Sequence, residues 1–444
     1  MIKPILILLL ICRASNCLSQ SDADSTPKWS YHFQLTAVNQ GHPAFHAKYS
    51  GDNSLNNEAE RGNLSITTTL FIGRKLWRHA AIYFNPEIAG GSGISAAKGI
   101  AGFTNGETFR IGSADPKFYI ARLYISQTFP LKNTGYETVE SDVNQLPGKI
   151  PDSRITLTAG KICMADFFDG NAYSHDPRTQ FLNWSLMSNG AWDYPADTRG
   201  YTQGIIAEFI KPSYAVRISS VLVTRKANGL QLDYNIAKAH AETLEIEKNW
   251  NARRPGAIRI LAYHNASQAP TFRTTLSQVK IGDSSSVDVY TGVKEWRQWG
   301  GVKFGFGINA EQEISNSVGA FFKASWNDGR TATWAFTQID RSMSGGLSIK
   351  GNKWKRPDDN LGIAAVINGL STDHRAFLSA GLYGFIIGDG KLNYGTEDIA
   401  EIYYQAKLFS SFWLAINYQF VNRPAYNRDR GPVHVFAIRG HIQF

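Results

Sequence analysis

In the stretch "GVKFGFGINAE", Val302, Phe304, Phe306, Ile308 and Ala310 fall on one face of an extended chain, and Lys303, Gly305, Gly307, Asn309 and Glu311 fall on the other. The same two-residue rhythm recurs in "SFWLAINYQF", where Phe412, Leu414, Ile416, Tyr418 and Phe420 oppose Trp413, Ala415, Asn417 and Gln419. In "EIYYQAKLF", Ile402, Tyr404, Ala406 and Leu408 oppose Glu401, Gln405 and Lys407. A period of two is the signature of strands with two unlike faces. These segments run to about nine to thirteen residues, long for strands of soluble domains and suited to tilted strands that cross a bilayer. After the N-terminal apolar run from Ile5 to Ile11, nothing approaches the roughly 18 to 20 apolar residues of a membrane helix, which excludes helical spanning.

Eighteen candidate strands can be marked: 29–37, 64–73, 79–89, 117–129, 154–164, 201–210, 214–224, 238–248, 256–264, 303–313, 317–327, 331–340, 343–350, 360–368, 381–387, 401–409, 412–421 and 433–444. Their connectors differ in kind. Lys211-Pro212-Ser213, Ser315-Asn316 and Ser410-Ser411 are tight, whereas 38–63, 90–116, 165–200 and 265–302 are long. Short turns at one end and long loops at the other are the arrangement of an outer-membrane barrel. With Phe444 placed at the periplasmic end, the three tight turns are periplasmic and the four long loops external, and the longish connector 130–153 falls on the periplasmic side. The final strand alternates to its last residue, with Phe436, Ile438, Gly440, Ile442 and Phe444 opposite Ala437, Arg439, His441 and Gln443. It is therefore expected to pair on both sides, as the closing strand of a barrel does. The 40 glycines and 12% aromatic content suit curved, closed sheets. One stretch, "STDHRAFLSAGL", departs from strand grammar and predicts a short helical insertion at the rim, with Ser371 as N-cap and Asp373 in the first turn.

Residues 1–19 read as a secretory signal peptide, with Lys3 ahead of the apolar run and small residues at Cys17 and Ser19, leaving 20–444 as the barrel domain. Lipidation at Cys17 is the weaker alternative, since Ala14 and Asn16 fit such a site poorly. Processing leaves Cys163 as the single cysteine, so no internal disulfide can form. The net charge of +9 falls by two with Lys3 and Arg13 and is spread along the chain, without the dense basic run of a nucleic-acid-binding arm.

On the face opposite the apolar one, the strands carry Arg122, Glu208, Arg217, Glu245, Arg259 and Arg439, which are costly against lipid and natural against a water-filled lumen. The expectation is a channel. Loop 165–200 mixes Phe167, Phe168, Tyr173, Phe181, Trp184, Trp192 and Tyr194 with Asp166, Asp169, Asp176, Arg178, Asp193, Asp197 and Arg199. Aromatic rings take the C–H faces of sugars, and carboxylates and guanidinium groups take their hydroxyls, although the same aromatics equally serve to pack the loop on the wall. The glycine-rich loop 90–116 carries Lys98, Glu107, Arg110 and Asp115 and is able to fold inward and narrow the lumen. The pore-lining or sugar-contact candidates are Glu107, Arg110, Arg122, Asp166, Asp169, Trp192, Arg199 and Arg217.

No G-x-S-x-G or H-E-x-x-H motif is present and the ten histidines are scattered, so no catalytic residues, cofactor or metal are expected. Asp166 and Asp169 could imitate a glycosidase pair, but only the carboxyl separation, which sequence does not give, would establish that chemistry. No EF-hand spacing supports calcium binding in 165–200. Cys163 sits in a strand pattern and is expected to be inert. The chain before Trp29 is too short for the plug of an energised transporter of about 22 strands.

"GIAGFTNGETFRIGSADPKFYIARLYISQTF", "DFFDGNAYSHDPRTQFLNWSLMSNGAWDYPADTRGYTQG", "HRAFLSAGLYGFIIGDGKLNY" and the ending "NRPAYNRDRGPVHVFAIRGHIQF" resemble the carbohydrate-selective porins of the OprB type, over essentially the whole processed chain. The resemblance implies an outer-membrane barrel of a diderm bacterium, usually sixteen-stranded and monomeric or trimeric, that admits mono- or oligosaccharides by passive diffusion. The eighteen candidates exceed sixteen by two, which places the surplus among 331–350 or 360–387. A general or anion-tolerant diffusion channel without sugar selectivity is the alternative, and a barrel enzyme the weaker one.

Overall fold

The computed structural model describes residues 27–107 and 114–444. The signal-peptide reading of 1–19 and the candidate Arg110 lie outside these described residues.

Sixteen strands close into an antiparallel barrel. They are β1 (Trp29–His42), β2 (Glu60–Lys75), β3 (Ala80–Gly91) and β4 (Lys117–Pro130), then β7 (Arg154–Ile162) to β18 in chain order, the gap being filled by a separate hairpin of β5 (Tyr136–Val139) and β6 (Gly148–Pro151). The remaining wall strands are β8 (Thr202–Lys211), β9 (Tyr214–Val221), β10 (His240–Trp250), β11 (Gly256–Ser267), β12 (Gly301–Ser315), β13 (Val318–Asn327), β14 (Arg341–Gly351), β15 (Arg356–Gly369), β16 (Glu397–Phe409), β17 (Phe412–Asn422) and β18 (Val433–Gln443). β18 pairs with both β17 and β1, and Phe444 exchanges backbone hydrogen bonds of 3.0 and 3.1 Å with Phe33. The expected closing strand is present.

The alternation read from sequence sets the two faces. Phe306, Ile416 and Ile438 turn outward at 52, 64 and 57% exposure, while Gly305, Ala415 and Arg439 turn inward and are buried. Trp29, Tyr31, Trp77, Tyr214 and Phe444 ring the periplasmic edge and Phe118, Phe304 and Phe436 the external one. These are the aromatic girdles of a membrane barrel. Short connectors such as 212–213, 316–317 and 410–411 lie at one end; 43–59, the described residues of the β3–β4 connector (92–107 and 114–116), 163–201, 268–300 and 370–396 lie at the other.

Two candidates, 331–340 and 381–387, are not strands, which reduces eighteen to sixteen. Both belong to external loops folded into the barrel mouth, where 331–340 is buried throughout and 381–387 mostly so, and both look strand-like in hydrophobicity. Several of their amides bond side chains rather than a strand ladder: Trp334, Ala335 and Phe336 donate to Asp193, and Ile386 and Ile387 to Gln338. The helix forms as expected. Helices α1 (Trp184–Met187), α2 (Phe272–Lys280), α3 (Val287–Tyr290) and α4 (Thr372–Ser379) all belong to external loops, and the Ser371 side chain caps α4 by accepting from His374 N at 3.1 Å. At the rim Phe377 of α4 meets Phe272 and Tyr290 at ring distances of 5.0 and 4.3 Å.

The β5–β6 connector does not hang free. Ser141 bonds Ser30 and His32 at 2.8 and 2.9 Å, and Asn144 accepts from the lumen-facing Asn85 at 2.9 Å. The hairpin therefore folds up under the periplasmic mouth.

Candidate functional site

Loop 163–201 enters the lumen and is held there by the wall. Glu401 of β16 accepts from the amides of Leu182 and Asn183 at 2.8 and 2.9 Å. Glu397, four residues earlier on the same face, accepts from Ala101, Gly102 and Ala425 at 2.9, 2.7 and 2.8 Å. From the opposite wall, Glu245 of β10 accepts from Asp169 N at 2.7 Å and Glu311 of β12 from Ala172 N at 2.5 Å. Cationic groups take the carbonyls: Lys323 of β13 those of Ser174 and Met187 at 2.7 and 2.9 Å, and Arg439 of β18 those of Pro177 and Gln180 at 2.7 and 2.6 Å. An irregular segment inside a barrel has no ladder to satisfy its backbone, and these side chains replace it. This corrects the reading of Glu245 and Arg439 as water-facing, since each is 1% exposed and committed to the loop.

The loop's aromatics pack together. Trp192 is 1% exposed and lies against Phe168 and Tyr194, and Tyr194 and Trp184 meet Phe336 at 5.0 and 5.2 Å. Trp192 thus sits in the packing core of the loop. Asp169 is likewise a structural tie, accepting from Asn189 N at 2.6 Å and from the side chains of Asn189 and Asn309 at 2.7 Å each.

The other candidates gather at one side of the lumen. Glu87 of β3 accepts from Thr69 at 2.5 Å, from Tyr201 at 2.9 Å and from Tyr119, while Arg178 stands 3.6 Å away. Arg178 also bonds Glu107 at 2.8 Å and Gln34 at 2.6 Å. Beside this hub, Arg122 grips Asp166 with two bonds of 2.5 and 2.7 Å. Arg122 and Lys161 approach the Tyr201 ring at 5.4 and 5.6 Å, and Arg199 covers Tyr119 at 4.3 Å. Arg122 points inward because of a bulge. Opposite Asn85 and Pro86 the register of β4 slips, so Ala121 and Arg122 both face the lumen after the outward Ile120 and before the outward Leu123. Proline offers no amide to the ladder, and a bulge re-aims the side chains beside it.

Arg217 lies in a second network, 3.2, 3.0 and 2.9 Å from Glu208, Glu245 and Glu247; Arg259 joins it at 2.8 Å from Glu247 and 3.4 Å from Glu311. So Glu107, Arg122, Asp166 and Arg199 come together, Arg217 stands on the wall nearby, and Asp169 and Trp192 serve the loop's own fold. Glu87, Tyr119 and Tyr201 were missed by the sequence reading; the inward register of Glu87 within the 79–89 pattern was the available signal. Among the loop groups, burial raises the Glu107 carboxyl against the pull of Arg178, and burial likewise raises Asp197. Burial pushes the Cys163 thiol, just past the end of β7, up to about 12, which removes its nucleophilic thiolate at neutral pH.

Known proteins bear on this arrangement. The fold is similar to the high-pH structure of Pseudomonas putida OprB, with a TM-score of 0.69, 14% identity and 94% of each chain covered. The low-pH structure of that protein gives a TM-score of 0.47 and 12% identity over 94% of this chain and 93% of that one. The outer membrane channel DcaP of Acinetobacter baumannii gives 0.49 and 10% over 96% and 100%. No curated protein sequence matches. The family model described as carbohydrate-selective porin, OprB family, matches residues 57–444, and the chain accordingly belongs to that family of outer-membrane porins.

Proposed function

We propose that sugars cross this porin passively along the β3–β9 side of the lumen, past the Arg122–Asp166 pair and the Arg199 guanidinium that covers Tyr119. The observation that carries this reading is the pairing of aromatic rings with guanidinium groups and carboxylates at one level of the lumen. A pyranose can offer its hydroxyls to the guanidinium and carboxylate groups, trading part of its water for such contacts, while the buried Tyr119 and Tyr201 rings back the guanidinium groups. Asp166 retains 29% and Arg122 12% side-chain exposure, against 1 to 2% for Glu245, Glu401 and Arg439, which pin the loop. Contacts must stay weak in a conducting pore. A millimolar affinity corresponds to about −4 kcal/mol, small enough for fast escape.

The carboxylates here are engaged with guanidinium groups, hydroxyls or backbone amides, so the reading is a channel without a catalytic step. Three such barrels associating through their outward faces would each keep a separate pathway. The test is single-channel current in a planar bilayer: millimolar glucose or maltooligosaccharide should partly block it, and R122A with R199A should relieve the block while the channel stays open. If no sugar alters the current up to its solubility limit, the sugar pathway proposed here is wrong.

A further inference from the structure

The external edge of the wall carries a cluster that neither the constriction nor the lipid face explains. His240 and Glu242 of β10 and His264 of β11 share the outward register of Leu244, Ile246 and Ile260, and Glu242 stands directly opposite His264 in the ladder. All three lie near the loop-bearing ends of their strands, above the apolar band. Glu242 Oε1 is 2.7 Å from His240 Nδ1, and Oε2 is 3.1 Å from His264 Nδ1. The two imidazole rings are 5.9 Å apart. One donor atom from each residue falls within 4.8 Å of the others, the only such trio among the described residues.

We propose that His240, Glu242 and His264 form a three-ligand site for a zinc-class divalent cation on the outer wall of the barrel. Two imidazole nitrogens and a carboxylate oxygen favour zinc, copper or nickel over magnesium and calcium, which take oxygen ligands. Zinc bonds nitrogen and oxygen at about 2.0–2.2 Å, so two ligands of one tetrahedral ion stand roughly 3.3 Å apart. The two carboxylate–imidazole separations, 2.7 and 3.1 Å, are already close to that value, and rotation of the partly exposed side chains brings the three donors, now within 4.8 Å of one another, onto one ion. Each histidine would turn its Nδ1 lone pair to the ion and keep its proton on Nε2. Cross-strand pairing holds Glu242 against His264, and the i, i+2 relation on one strand holds His240 on the same face, so the donors are converged by the sheet rather than by a flexible loop. The three side chains remain 27, 38 and 44% exposed, which lets an ion arrive from outside without entering the lumen. Three protein ligands leave a position for water or an outside group.

The site is independent of the sugar pathway, and so is its test. Full-length protein in detergent micelles is titrated with Co²⁺, followed by its visible ligand-field absorption, and then with Zn²⁺ in competition. One Co²⁺ should bind per chain and be displaced by Zn²⁺. E242Q and H264A should each weaken binding at least tenfold, and H434A, on the outward face of β18, should leave it unchanged. Heat-shifted gel mobility establishes that each variant is folded. Absence of a Co²⁺ spectrum in the folded protein, or binding that survives H240A combined with H264A, overturns the proposal.

Discussion

Glu401 offers the most direct test of how the constriction is held. Its carboxylate is 2% exposed and accepts from two consecutive amides of the inserted loop, Leu182 at 2.8 Å and Asn183 at 2.9 Å, with Asn417 adding a third bond at 3.2 Å. In Glu401→Ala both amides stay buried without a partner whenever the loop is closed, at about 1–3 kcal/mol each. The closed state therefore loses about 2–6 kcal/mol relative to an open one in which water reaches the amides. Even the lower figure shifts the closed-to-open ratio roughly thirtyfold. The wall itself should persist, because the β16 ladder to β15 and β17 does not involve the side chain. In planar bilayers the variant should show larger and fluctuating single-channel currents, and the loop should be cut faster by protease. The band should still resist SDS until boiled, and Glu401→Gln, which keeps one acceptor oxygen, should fall between. A Glu401→Ala channel with the parent's steady conductance and protease resistance would falsify the view that wall carboxylates latch the loop.

Further outcomes follow from the same geometry. Ile416→Arg, on the outward face of β17 toward mid-bilayer, should cost about 2–4 kcal/mol in reversible unfolding from lipid vesicles, whereas Val302→Arg at the external end of β12 should cost about 0–1; equal costs would contradict the assigned depths. Trp192→Ala empties a site that is 1% exposed and should destabilise the loop by about 3–5 kcal/mol, raising conductance along with sugar and salt permeation alike; a selective loss of sugar block with unchanged conductance would contradict its packing role. Burial raises Glu107 above its ordinary value of 4.5, so folding favours the protonated form; its contribution to stability is complete below the unfolded value and is lost as pH rises through the folded one. Acidification should therefore neutralise this partner of Arg178 at a milder pH than for an ordinary glutamate and move the reversal potential toward anions, a shift that Glu107→Gln should reduce.

Much of the barrel is legible because strand faces are local: the outward Phe436 and Ile438 and the inward Ala437 and Arg439 are set by the pleat alone. The Ser371 cap is legible for the same reason, since its bond spans three residues. The failures are long-range. Segment 331–340 is as apolar as a strand, and what prevents it from being one is Asp193, more than a hundred residues away in sequence, which claims three of its amides. Glu245, Glu401 and Arg439 are correctly assigned to the inner face, but alternation reports which way a side chain points and not whether water or an inserted loop meets it. Arg122 faces inward in spite of its parity with Ile120, because the bulge opposite Pro86 shifts the phase. The aromatics of 165–200 are compatible in composition with both packing and sugar contact, and the structure assigns Trp192 to packing because it is buried among rings, which composition alone does not report.

The hairpin of β5 and β6 has a consequence for transport measurements. With Asn144 bonded to Asn85 inside the lumen and Ser141 bonded to Ser30 and His32 below it, a solute that clears the upper narrowing still has to pass beside the hairpin before it reaches the periplasm. The pathway is then two resistances in series, and the total is their sum. Opening the upper one, however completely, raises the current only to the ceiling set by the lower one, so the conductance of a fully unlatched loop is a measure of the hairpin's own resistance.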